Sequence, residues 1–416
     1  MILISIVFLL IFFLLLKKKS VALLLVFIQL VSIGGTFFLG REIIIDTNED
    51  LGWIFVIILF LLLIIIPWKS YFNINMIEGI DPKKLKIITR FLIIINALVF
   101  VVFLTSTITV MTLVKDINEF KYSEGVSMQF YYSSLPFPII FFNLSILLYY
   151  FSFFMLPLHF YYLNKNKIWL ALLCFIFSLN IVLYGLTFFS RAVVVQFMLL
   201  YLTSFFMLKG VMPVKIKIIF RNGLLILGGI SVVYFLIIST KRFEEDKKNS
   251  KIYAKTIPVN AFTQDPTTYG YLDYMSQGYL NGYEVLQKYE GEGFNGALTV
   301  ESVLALVSTP NEAYNRLKYR QKIWPSKYSY SFNGHVAYTV YDYGVFGGFI
   351  FSLFYFFVIH KMRPKNNSIK LKDLFLIMLL IQIPLMSIFY SQTGGIFIAL
   401  LLWIPLSIYL KFKIKG

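Results

Sequence analysis

The side chains best suited to chemistry gather late in the chain. Ser331-Phe-Asn-Gly-His335-Val-Ala-Tyr338-Thr-Val-Tyr-Asp342-Tyr-Gly344-Val-Phe-Gly-Gly348 leads straight into an apolar run. Histidine is the side chain best poised to exchange a proton near neutral pH, and His335 is the only histidine between residues 240 and 339. Asp342 stands beside the bilayer-length run, where an acid is costly to keep and therefore marks a candidate site. On a helix the two lie seven positions apart on one face, separated by about 10 Å of rise. That is too far for a direct bond but suits a pair bracketing a substrate. The alternative for both is helix capping and polarity at the membrane boundary.

Four arginines form the second candidate set. Asn315-Arg316-Leu317-Lys318-Tyr319-Arg320-Gln321-Lys322 holds four cations in seven residues. Arg316 and Arg320 repel at i, i+4 on a helix unless an anion sits between them, and arginine is shaped for bidentate phosphate binding. A solvated basic face near anionic lipid heads explains the same run. Arg191 stands in a short turn between two apolar runs, where a charge costs about 2.5–3.5 kcal/mol on insertion scales; snorkelling to the headgroups is the other reading. Arg242 follows an apolar run directly, and Glu244, Glu245 and Asp246 are close enough in sequence to neutralise it.

Tyrosines are the third set. Residues 240–339 contain 12 of the 28 tyrosines. A tyrosine ring stacks on the apolar face of a sugar and its hydroxyl bonds the rim, which makes Tyr274, Tyr279 and Tyr283 candidates for glycan binding. Enrichment of tyrosine at the water–lipid boundary is the competing explanation.

The elements that must position these groups follow from composition. Of 416 residues, 58% are hydrophobic, 19% aromatic and only 14% charged, against about a quarter charged in ordinary soluble domains. A soluble globule of this composition would leave large apolar patches in water. The sole cysteine, Cys174, excludes an intrachain disulfide scaffold. The composition predicts an all-α polytopic membrane protein. Runs of roughly 20 apolar residues cross about 30 Å of hydrocarbon, and eleven candidates stand at 2–16, 20–40, 52–68, 91–114, 138–163, 168–188, 192–208, 223–239, 340–360, 373–389 and 396–410. None alternates with the period of a membrane β-barrel. The domain layout is therefore residues 1–239 with eight spans, one large, partly helical extracytoplasmic loop at 240–339, and residues 340–416 with three more spans. Within the loop the spacing predicts helices over Pro266–Tyr289 and Ala297–Val307.

Charge sets the orientation. With the Lys17–Lys19 cluster placed inside, the cytoplasmic segments hold 22 Lys and Arg, and the short outside loops hold 4: Arg41, Lys115, Lys121 and Arg191. Positive charge favours the cytoplasmic side, so the N-terminus is expected outside and the C-terminus inside. The net charge of +17 is thus topological and does not point to nucleic acid. The cytoplasmic segments contain no GxxxxGK[ST] or GxGxxG nucleotide motif.

At these residues the chain resembles the Wzy family of bacterial oligosaccharide repeat-unit polymerases. The resemblance rests on the Ser190-Arg191 turn, the large outside loop, Tyr279-Leu-Asn-Gly-Tyr283, Gly293-Phe-Asn-Gly-Ala-Leu-Thr299 and, nearest of all, Asn333 to Gly348 with Tyr341-Asp342-Tyr343-Gly344. It implies a glycosyltransferase of the cytoplasmic (inner) membrane that joins undecaprenyl-diphosphate-linked repeat units into O-antigen, capsule or another surface polysaccharide. The implied partners are those lipid-linked substrates, membrane lipids and a chain-length regulator protein; no cofactor, metal or nucleic acid is implied. On this reading Arg191 and Arg242 clamp the diphosphate with Arg316 and Arg320 as second candidates, His335 is the base for the acceptor hydroxyl, and Asp342 orients it or binds sugar. O-antigen ligases carry a similar His-then-Gly entry to a span, at a shorter spacing. A ligase, or a glycolipid flippase without chemistry, are the alternatives.

Overall fold

The computed structural model describes residues 2–411 apart from 17–19, 42–47, 116, 118–119, 121–125, 215, 219–221, 224, 227, 230–232, 234–235, 238–239, 241–256, 308–311, 313–314, 316–318, 320–322 and 325–331. Among these described residues 79% are helical. Its principal elements are α1 (Ile2–Leu16), α2 (Val21–Thr36), α3 (Asn48–Ile65), β1 (Met76–Glu78), α4 (Pro82–Leu113), α5 (Val126–Ser134), α6 (Ile139–Leu148), α7 (Ser152–Asn164), α8 (Ile168–Ser178), α9 (Asn180–Thr187), α10 (Arg191–Leu208), α11 (Pro266–Gln287), α12 (Ala297–Val307), α13 (Gly334–Lys361), β2 (Ser368–Lys370), α14 (Leu371–Leu380), α15 (Gln382–Met386) and α16 (Thr393–Lys411).

Among the described residues seven helical stretches are long and apolar enough to cross a membrane: Asp50–Ser70, Pro82–Leu113, Ile139–Asn164, Ile168–Thr187, Arg191–Val211, Gly334–Lys361 and Thr393–Leu410. They correspond to seven of the eleven expected runs. Two more, 2–16 and 20–40, form the shorter apolar helices α1 and α2. The run at 223–239 lies largely outside the described residues. The run at 373–389 is helical in two pieces, α14 and α15, separated at Ile381 and followed by a turn before α16. Pro384 supplies the reason, since proline lacks an N–H and its ring clashes with the carbonyl four residues back. That carbonyl, on Leu380, accepts instead from the Tyr355 hydroxyl at 3.0 Å.

The chain divides into two compact units. The first comprises residues 1–72, 250–363 and 380–398. In it α2 packs on α1 and α11, and α3 packs on α13. The helix α11 is not a surface feature of a loop, because it lies along α2. The Ser32 hydroxyl donates to the Met275 carbonyl at 2.7 Å, and the Tyr279 hydroxyl donates to Gln29 Oε1 in the middle of α2. Gln29, fully buried, in turn donates to Ser387 Oγ at 2.9 Å. Polar side chains of this kind join helices where no water competes.

The second unit comprises residues 73–249, 364–379 and 399–416. A two-stranded parallel sheet pairs β1 with β2, Ile77 opposite Ile369. Asp81 starts α4 by accepting from the backbone N–H groups of Lys83 and Lys84, with Pro82 in the first turn where its missing N–H costs nothing. Ser152 donates to Asn96 Oδ1 and Asn180 Nδ2 to the Asn96 carbonyl, bonds of 2.5 and 2.9 Å that tie α7 and α9 to α4. Lys84 Nζ caps the end of α16 by donating to the Tyr409 and Leu410 carbonyls.

Candidate functional site

The site in the first unit is built on a break in α13. Gly344 has φ 72° and ψ 172° inside this helix, a left-handed backbone that glycine adopts without steric cost. The helical N–H groups that would bond the Tyr341 and Asp342 carbonyls are turned away by that break. Those carbonyls accept instead from Phe294 N and Gly296 N, each at 2.7 Å. The turn Gly293-Phe294-Asn295-Gly296 thus docks against the break. A Cβ on Gly293 would fall 2.5 Å from the Tyr341 carbonyl oxygen, so only glycine fits the approach. Two motifs half a hundred residues apart form one backbone module. Phe294, Trp324 and Tyr341 close over it as an aromatic cluster, with Trp324 and Tyr341 centroids 4.7 Å apart.

The module delivers α12 with its N-terminus on the Asp342 carboxylate. Leu298 N donates to Oδ1 at 2.9 Å, and Thr299 N and Thr299 Oγ1 donate to Oδ2 at 3.0 and 2.7 Å. The acid satisfies orphan amides at the positive end of the helix dipole. Asp342 therefore caps α12, and it does not touch His335 directly.

It reaches His335 through hydroxyls. Thr299 Oγ1 lies 3.2 Å from Thr393 Oγ1, Thr393 Oγ1 lies 3.0 Å from Ser391 Oγ, and Ser391 Oγ lies 3.1 Å from His335 Nδ1. Thr299 has one hydroxyl proton, which goes to Asp342, so it accepts from Thr393 and from the Tyr343 hydroxyl. With His335 Nδ1 protonated, every link donates toward Asp342. With Nδ1 bare, Ser391 donates back to the ring. In that second state three hydroxyl protons serve four contacts, so one contact between neighbouring hydroxyls carries no hydrogen bond. Its ends, His335 and Asp342, are buried, whereas Thr299, Tyr343, Ser391 and Thr393 are half-exposed.

His335 itself opens α13. Gly334 N donates to the Phe389 carbonyl and His335 N to the Ser387 carbonyl at 2.8 Å, so the turn after α15 holds the imidazole in place. The void beside it measures about 20 Å³ and is lined by Tyr279, Tyr283, Asn333 and Ser387, room for one water and not for a sugar.

The candidate glycan-binding tyrosines are corrected by this packing. Tyr274, Tyr279 and Tyr283 are 9%, 6% and 1% exposed. Tyr274 packs on Phe332 and Phe389, Tyr279 bonds Gln29, and the Tyr283 hydroxyl accepts from Gln287. Helix α11 is surrounded on several sides, so its rings fill helix interfaces and present no stacking face. Arg191 is 8% exposed and begins α10 in the second unit, after Phe189 at φ 47°. Arg242, Arg316 and Arg320 lie outside the described residues.

Sequence reasoning missed Ser391 and Thr393, which form a polar gap between two apolar runs, and it counted Arg41 only as a loop charge. Arg41 Nη2 bonds Asp273 Oδ1 at 2.9 Å and Nη1 donates to Asn281 Oδ1 at 3.2 Å. Burial works against the Arg41 charge, but Asp273 and the Tyr269 hydroxyl more than offset it and hold its pKa above the ordinary value. Among the described residues no three His, Cys, Asp or Glu side chains meet at metal-binding range.

No protein-family model, curated protein or solved structure matches the chain.

Proposed function

We propose that the chain is a polytopic enzyme of a bacterial cytoplasmic membrane that joins lipid-linked oligosaccharide repeat units into a surface polysaccharide. The observation that carries the proposal is the hydroxyl path from His335 to Asp342, in which His335, Asp342 and Thr299 belong to the motifs that resemble the polymerase family and Ser391 and Thr393 do not. The acceptor sugar hydroxyl attacks the anomeric carbon of the donor glycan. The new carbon–oxygen bond forms as the bond from that carbon to the diphosphate breaks, and the electron pair leaves with the diphosphate. The acceptor proton passes to half-exposed Ser391 while Ser391 gives its own proton to His335 Nδ1. Positioned proton transfer of this kind contributes about 10²–10⁴-fold. Asp342 fixes Thr299 and, through Thr393, the orientation of Ser391. The departing diphosphate needs cations in a water-poor site, and Arg191, Arg242, Arg316 and Arg320 are the proposed sources.

The proposal includes eleven crossings, the N-terminus outside and the 240–339 segment outside. One geometric fact supports that sidedness. Arg41, at the end of α2, and Asp50, at the start of α3, are both expected outside, and they bond Asp273 and Gln287 of that segment.

The test is reaction of the purified protein with a defined undecaprenyl-diphosphate-linked repeat unit. Formation of dimers and longer products by the wild type, and loss of them in His335→Ala, are expected. Transfer only to an unrelated acceptor identifies a ligase instead. Full polymer yield from His335→Ala overturns the base assignment.

A further inference from the structure

A second cavity in the first unit stands apart from the hydroxyl path. It holds about 640 Å³ and is walled by Ile2, Ile6, Ile54 and Leu280, with Arg41 and Asn260 at its polar end. That volume lies within the roughly 300–1,000 Å³ of small-molecule sites. Ile2 and Ile6 are 68% and 49% exposed, so the apolar wall continues onto an apolar outer surface. The polar end is firmly built. Gly40, at φ 63°, brings the chain against Asn260 and Ala261, and Phe262 N donates to the Phe38 carbonyl at 3.0 Å.

Arg41 is oriented there by Asp273 and Asn281. A guanidinium has five N–H donors in a fixed fork, and those two bonds engage one donor on each terminal nitrogen. The side chain remains 32% exposed, while its partner Asp273 is 13% exposed and faces the helix. Asp273 at the fork, with the Glu284 carboxylate also acting on Arg41, opposes an incoming anion. It also stiffens the guanidinium so that less motion is lost when a ligand binds. A cationic fork at one end and an apolar wall leading outward match an amphiphile with a phosphate head.

We infer that this cavity holds the head of a phosphate-bearing lipid, with a phosphate oxygen pair on Arg41 and the start of the chain along Ile6 and Leu280. The polymerase reading is needed only to identify that lipid as a polyprenyl diphosphate. The binding inference stands on the cavity itself.

Native mass spectrometry of the full chain in detergent, titrated with undecaprenyl diphosphate and in a parallel arm with phosphatidylglycerol, tests it. The wild type is expected to retain one diphosphate lipid, and Arg41→Gln to weaken retention at least tenfold. Ile6→Trp, which fills the cavity from its exposed wall and leaves Arg41 in place, is expected to weaken it similarly. Asp273→Asn removes the ion pair but keeps the guanidinium, and is expected to bind as tightly as the wild type or more so. Unchanged retention in both Arg41→Gln and Ile6→Trp overturns the inference, as does a loss in Asp273→Asn equal to that in Arg41→Gln. Equal retention of phosphatidylglycerol, with the same dependence on Arg41, upholds a phosphate site and overturns its assignment to a diphosphate carrier. Failure of the polymerase reading shows separately, as no polymer from a lipid-linked unit while Arg41-dependent binding persists.

Discussion

Replacing Asp342 by alanine removes three bonds at the head of α12: those from Leu298 N, Thr299 N and Thr299 Oγ1. Loss of a capping side chain costs about 0.5–2 kcal/mol. Removing a negative charge from a helix N-terminus adds about 0.3–1 kcal/mol, and up to about 2 in a partly buried setting. The two terms overlap, so roughly 1–3 kcal/mol of local stability is expected to be lost from residues 297–307. At 1.36 kcal/mol per decade, opening of that helix becomes roughly 5- to 160-fold more frequent. Hydrogen-exchange mass spectrometry in nanodiscs reads this directly. Peptides covering 297–307 are expected to exchange faster by that factor, with those covering 191–208 unchanged. Asp342→Asn keeps the shape and one acceptor oxygen and is expected to lie below tenfold. Exchange in Asp342→Ala within threefold of the wild type refutes the capping role. A carboxylate that instead touches sugar would lose polymer in Asp342→Asn with no change in exchange at all, so the two roles separate in one pair of variants.

Thr393→Val keeps the side-chain shape but interrupts the hydroxyl path. Together with Ser391→Ala it is expected to lower polymer yield in vitro by up to about 10²–10⁴-fold while the detergent-solubilised protein elutes normally; undiminished yield excludes the path. Gly282→Ala puts a methyl group against the Asn333 carbonyl at the α11–α13 contact. Overpacking of this kind typically costs about 1–3 kcal/mol, so a lower thermal midpoint is expected, and an unchanged one would mean that the two helices have room to separate. Arg191→Ala is expected to reduce polymer length and yield in cells, with Arg191→Lys intermediate because lysine lacks the bidentate fork; wild-type product from Arg191→Ala removes it from the diphosphate clamp. Lys84→Met leaves the Tyr409 and Leu410 carbonyls uncapped. A charge-assisted bond contributes about 1.5–3 kcal/mol, so faster exchange at the end of α16 is expected there.

Hydropathy made most of the helices legible. Among the described residues, the seven helices long and apolar enough to cross a membrane and the two shorter apolar helices fall where the apolar runs predict them, because in lipid the backbone has few alternatives to a helix. The helices Pro266–Gln287 and Ala297–Val307 were also readable from their spacing. What hydropathy missed is local. The 373–389 run looks continuous because Pro384 barely lowers its average, yet that proline interrupts the helical hydrogen-bond ladder. The place of α11 was equally hidden. Its tyrosines resemble a wet surface in composition, but only the partners Gln29, Phe332 and Phe389 show that they are buried. At the site, His335 and Asp342 were identifiable as rare polar residues near a span. Their connection was not, since it runs through Thr299, Ser391 and Thr393 on two other segments, and serine and threonine are too common to stand out.

The first unit is discontinuous, and this has a consequence for biogenesis. Gln29 finds its partner Ser387 only after 358 further positions have been made. At about 5–20 residues per second that takes roughly 20–70 s. Within that interval Gln29 gains the Tyr279 hydroxyl, 250 positions on, before it gains Ser387. Synthesis of α2 and completion of its polar pairing are therefore separate events in time.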